Sequence, residues 1–146
     1  MSIPQSGGGP IQSRDDLVRH LSQGSRPRAD WRIGTEHEKF VYDLKTQKPV
    51  AYDGRPGIRS LLEGMTRFGW APVLEGGNII GLTQNGASLS LEPGGQFELS
   101  GAPLATVHQT CAEVNTHLEQ TRAVAADLGL GVLGLGFAPS WTLEET

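Results

Sequence analysis

A chain of 146 residues is long enough for one domain with its own core. Its formal net charge of -4, with twelve Lys and Arg scattered from Arg14 to Arg122, makes neither a nucleic-acid-binding stripe nor a polybasic membrane patch. The single cysteine, Cys111, excludes an internal disulfide framework and a thiolate metal cluster, while twenty glycines favour a loop-built site over a bundle of helices.

Residues 1–12, MSIPQSGGGPIQ, read as a flexible arm. Ser13 and Asp16 have capping-box spacing, with Asp in place of Glu or Gln, and Leu17, Val18 and Leu21 give the helix that follows one apolar face. The stretch WRIGTEHEKFVYDL reads as a strand carrying Ile33, Phe40, Val41 and Tyr42, and KTQKPVAYDGRPG as a turn, a short extended piece and another turn. Pro56 opens a second helix, with Ile58, Leu61, Leu62, Met65 and Phe68 at core spacing and Gly69 as its stop. Residues 70–101 have the grammar of a small antiparallel sheet, with short apolar runs punctuated by Gly-Gly, Asn-Gly and Pro-Gly-Gly.

From Pro103 the period becomes helical. Leu104, Val107, Cys111, Val114, Leu118, Ala125 and Leu128 form a stripe along a helix of up to about 25 residues, about 38 Å, which places Cys111 in the core. Gly129 ends that helix, and LGVLGLGF reads as a buried strand whose apolar character requires neighbours on both faces. On that reading the isolated chain is a fragment, prone to self-association and inactive. No apolar run reaches membrane-spanning length and no secretory signal is legible, so the expectation is a soluble cytoplasmic protein with no nucleic-acid or membrane partner.

Two acidic pairs carry the chemical question. Glu36 and Glu38 in RIGTEHEKF are two apart, so a strand points both to one face about 6.5 Å apart along the chain. In SLSLEPGGQFELS, strand geometry on either side of Pro-Gly-Gly puts Ser88, Ser90 and Glu92 on a wet face together with Gln96, Glu98 and Ser100. Leu89, Leu91, Phe97 and Leu99 then fill the dry face, and His37 and Lys39 point away from the glutamates as structural residues. Taken alone, each pair reads either as solvated surface carboxylates or as metal ligands. Four converging carboxylates need protons or cations to neutralise them, and oxygen-only ligands suit Mg2+, which can organise the phosphates of ATP without a P-loop. His108 and Cys111 share a helix surface, but nothing makes them a catalytic dyad.

RIGTEHEKF together with NGASLSLEPGGQFELSGAPLATVHQTCAEVNTHL resembles the glutamate-cysteine ligase family of the plant and proteobacterial type. The resemblance implies an α+β fold: part of an antiparallel sheet with packed helices, similar to the glutamine synthetase-like carboxylate-amine ligases and incomplete here. It implies that 13–146 is the N-terminal part of a catalytic domain whose remainder lies beyond residue 146. The implied reaction is ATP-dependent ligation of the glutamate side-chain carboxylate to the amino group of cysteine through an acyl phosphate, the first step of glutathione biosynthesis. By motif, Glu36, Glu38, Glu92 and Glu98 match the family's acidic positions and are the expected catalytic and Mg2+-binding residues. A related ligase with another amine acceptor, and a non-catalytic fragment that binds metal or a partner, are the competing readings.

Overall fold

The computed structural model describes residues 9–142 and residue 144. Residues 1–8 of the expected arm lie outside the described residues; 9–12 are exposed and without regular secondary structure. Helix α1 (Arg14–Gln23) starts as the sequence implies, with the Ser13 hydroxyl accepting from the Asp16 amide at 3.2 Å. The Asp16 carboxylate accepts from the Gln12 amide, so the shorter Asp completes a variant of the box one residue earlier. No residue of α1 is buried, and Leu17, Val18 and Leu21 present their apolar face outward.

The remaining elements are β1 (Glu36–Asp43), α2 (Ile58–Met65), β2 (Ala71–Glu75), β3 (Asn78–Gln84), β4 (Ala87–Glu92), β5 (Gln96–Ser100), α3 (Val107–Leu128) and β6 (Leu130–Leu133). They build an α+β fold on one antiparallel sheet, in the order β2-β3-β4-β5-β1-β6. Strands β2 to β5 form a meander because glycine-rich pairs close each turn; at the β3–β4 turn Asn85 and Gly86 both take positive φ, 50° and 86°, as a two-residue hairpin requires. The earliest strand, β1, is then inserted between β5 and the last strand, β6.

One face of the sheet carries the core. Leu82, Leu89, Phe97 and Leu99 from the strands meet Leu61, Leu62 and Met65 of α2 and Val124 and Ala125 of α3, all buried. The two helices approach closely at Gly64, where a Cβ would run into the Val124 side chain. We therefore expect Gly64→Ala to destabilise the fold although alanine is the better helix former by about 1 kcal/mol, because overpacking of this kind costs roughly 1–3 kcal/mol. A lower urea midpoint checks this; a higher one would show that α2 and α3 can part without loss.

The structure departs from the sequence expectation in three places. The buried face of α3 is Thr110, His117, Thr121, Val124 and Ala125, flanked by Val114 and Leu128, whereas Val107 and Cys111 are exposed. Positions 110, 114, 117, 121, 124 and 128 follow alternating steps of four and three, so the true stripe is regular but contains threonine and histidine, which a search for apolar residues passes over. Leu104 precedes the helix, paired with Ile33 in an isolated bridge. LGVLGLGF is not one buried strand: only Leu130–Leu133 pairs, at the sheet edge, and Leu133, Leu135 and Phe137 are exposed. The wet face of the β4–β5 hairpin is not uniformly wet, since Ser90 and Glu98 are buried at its centre.

Candidate metal centre on the sheet

Register decides what the acidic residues can do. Glu38 of β1 lies directly opposite Glu98 of β5, and Glu98 in turn faces Ser90 of β4; Glu36 lies opposite Ser100. Directly paired residues share a face, so Glu36, Glu38, Glu98, Ser90 and Ser100 all stand on the side away from α2 and α3. Glu92 follows on the same face of β4, two residues beyond Ser90, opposite Gln96. One carboxylate oxygen from each of Glu36, Glu38 and Glu98 can be chosen so that all three lie within 4.8 Å of one another. Glu92 is outside that triplet but reaches Glu98 through a side-chain hydrogen bond. The structure thus brings all four expected residues together, three as a tight set and one at its margin.

The electrostatics follow from crowding and burial. Glu98 is only 6% exposed, and its carboxyl is pushed above the usual carboxylate range, first by burial, then by its hydrogen bond with Glu92 and the charges of Glu92 and Glu36. The Ser100 hydroxyl, donating to Glu98 Oε1 at 2.6 Å, pulls the other way. Uncompensated, such a group of carboxylates resists full ionisation; a divalent cation among them would remove the repulsion.

The donors are all oxygen, which suits a hard ion, and the mixture of exposed Glu36, half-buried Glu38 and buried Glu98 leaves the solvent side open for water or substrate oxygens. Further along the same face, Phe40 and Gln96 are again register partners. They line a cavity of about 310 Å³ with Gly94, Phe137 and Trp141, whose ring meets Phe40 edge-on at 5.1 Å.

The opposite face has its own polar chain. His37 and Lys39 point away from the glutamates as expected, and lie opposite Leu99 and Phe97. Lys39 is 1% exposed, its Nζ 5.8 Å from the centroid of the Phe97 ring, and burial lowers its pKa to about 8 against the opposing pull of Glu38 and Glu98. His117 of α3 stacks on the same ring with centroids 5.8 Å apart. Its Nε2 lies 3.5 Å from the Thr121 hydroxyl while its buried Nδ1 has no hydrogen-bond partner among the described residues, and burial, then Lys39 and His37, lower its pKa to about 3. Sequence reasoning missed His117 because a lone histidine on a helix has no local signature; its place in the regular α3 stripe was the available signal. His108 is exposed like Cys111.

An antiparallel sheet with helices on one face and converging carboxylates on the other defines an α+β protein with an acidic, oxygen-rich cluster on its open sheet face. Comparison with known sequences narrows this: residues 32–146 match the model of glutamate-cysteine ligase family 2 (GCS2), and the chain belongs to that family. It is 54% identical over 134 residues to glutamate–cysteine ligase A, chloroplastic, of Oryza sativa subsp. japonica, an alignment covering 91% of this chain and 27% of the rice protein. It is likewise 55% identical to the chloroplastic glutamate–cysteine ligase of Nicotiana tabacum and 54% identical to that of Arabidopsis thaliana, each over 91% of this chain and 25% of the relative. The chain spans about a quarter of the length of these relatives.

These names overturn one expectation. The sequence suggested a cytoplasmic protein, but each of these relatives is named as chloroplastic. The inference failed because lack of a secretory signal or membrane-spanning run bears on export and membrane insertion, and says nothing about import into a plastid. Among the described residues, no helix is long and apolar enough to cross a membrane.

Proposed function

We propose that this chain supplies the metal-binding face of an ATP-dependent ligase that joins the side-chain carboxylate of glutamate to the amino group of cysteine. The observation that carries this reading is the convergence of Glu36, Glu38 and Glu98, with Glu92 hydrogen-bonded to Glu98, in a member of a family whose relatives are named for that ligation. The residues from 13 onward are the N-terminal part of the catalytic domain. Because the chain spans about a quarter of its relatives, we assign the rest of the substrate site to sequence beyond the portion they share with it.

The chemistry fits the geometry. A carboxylate carbon is a poor electrophile and has no useful leaving group, so phosphorylation by ATP must precede attack by the amine. When bound, Mg2+ would offset charge on the transferring phosphoryl group. Glu36, Glu38 and Glu98 would hold it, with Glu92 completing the acidic margin, and the Ser100 hydroxyl, donating to Glu98 Oε1, restrains that carboxylate. Exposed Cys111 has no role as nucleophile, since the reacting nitrogen belongs to the acceptor substrate.

The test is a transplant. This chain, placed in the tobacco ligase in place of the 134 matching residues, should give a protein that forms γ-glutamylcysteine and ADP from glutamate, cysteine, ATP and Mg2+. A folded chimera without turnover would contradict the assignment, and faster ADP release with another amine would favour the related ligase with a different acceptor.

A further inference from the structure

Strand β6 covers only Phe40 to Asp43 of β1, so among the described residues the segment that carries Glu36 and Glu38 has a strand partner on the β5 side alone. On the core face Lys39 Nζ donates to the His37 carbonyl at 2.5 Å and lies 3.1 Å from His37 Nδ1, a second donor to a carbonyl that faces β5, as the Thr35 carbonyl does in accepting from Gly101. That carbonyl belongs to the peptide joining His37 to Glu38, the link between the two acidic residues of β1. Among the described residues no carboxylate oxygen lies within ion-pair distance of Lys39, although its ammonium is almost wholly buried against Phe97. A buried charge without a contacting counter-ion is costly by several kcal/mol, and an apolar residue of similar volume would avoid that cost. The charges that offset it lie through the sheet, on Glu38 and Glu98.

We infer that Lys39 is a positioning residue for the acidic site: from behind the sheet it pins the peptide between Glu36 and Glu38. It touches neither metal nor substrate. Its action is to hold the carboxylates of β1 in place opposite Glu98. The inference rests on the metal-site reading above.

The test uses the full chain and Mn2+, whose free aqueous ion gives a six-line electron paramagnetic resonance signal that is lost on binding. Lys39→Met should weaken Mn2+ binding by at least about 10-fold, the lower end of what loss of a supporting outer-shell partner costs. Thermal melting followed by circular dichroism separates this from a packing role, which would lower the melting temperature and leave the affinity of the folded protein as it was. His37→Leu, which removes one of the two acceptors, should weaken binding by a smaller factor and decides the matter if Lys39→Met does not fold. Folded variants with wild-type affinity would overturn the inference while leaving the metal site standing. A wild-type chain that takes up no Mn2+ would overturn the metal-site reading and the inference with it.

Discussion

Glu98→Gln should weaken Mg2+ binding by more than the roughly 10–100-fold that loss of an outer-shell partner costs, because it removes a charged donor from the centre of the cluster. Glu98 is the pivot: it lies opposite Glu38 in one register and Ser90 in the other, accepts from Ser100, and shares a hydrogen bond with Glu92. Glutamine keeps the size and the Ser100 bond but cannot contribute charge. The same substitution should stabilise the chain when no divalent ion is present, since the group replaced is a buried carboxyl whose ionisation its neighbours resist. Isothermal titration with Mg2+ and urea unfolding in chelator test the two halves. Glu92→Gln should show the same signs with a smaller loss of affinity, as Glu92 lies outside the tight triplet. Unchanged affinity in both variants would return the glutamates to ordinary surface carboxylates.

Acid should destabilise the fold through His117. Its pKa is about 3 in the folded chain against the ordinary 6.5, so between those values the unfolded chain binds the extra proton. Stability is therefore fully present above about pH 6.5 and is lost as pH falls toward 3, at up to about 1.4 kcal/mol per pH unit. Glu98 works in the opposite sense, because a raised carboxyl pKa favours the folded state at lower pH, so the two must be separated by difference. Urea midpoints of wild type and His117→Leu at pH 7 and pH 5 provide that difference. Wild type should lose about 2 kcal/mol more than the variant over this interval. Equal losses would mean that the imidazole is hydrated and not held neutral against Phe97.

The local grammar of the chain was legible where one residue type dictates conformation. Ser13 caps α1, Gly69 ends the second helical segment at φ 88°, and the glycine-bearing turns of residues 70–101 produce the expected meander. The alternation of Ser88, Ser90 and Glu92 against Leu89 likewise set the two faces of β4. What could not be read was non-local. No local signal tells that β1 inserts between β5 and β6, and only that insertion puts Glu38 beside Glu98. The burial of Ser90 and Glu98 follows from their central place in the completed sheet, and the burial of Lys39 and His117 from sharing the Phe97 ring across separate elements. The misplacement of Cys111 has the same origin: the sheet presents a partly polar surface to α3, so its buried stripe includes threonine and histidine, and the apolar Val107 and Cys111 are left outside.

Whether β1 and β5 together build a divalent-cation site is open to direct measurement by anomalous diffraction from crystals of this chain soaked in Mn2+. A peak should appear bounded by the carboxylates of Glu36, Glu38 and Glu98, and be absent from crystals of Glu98→Gln. Crystals whose peaks all lie elsewhere on the surface, or whose peak at the cluster persists undiminished in Glu98→Gln, would contradict it.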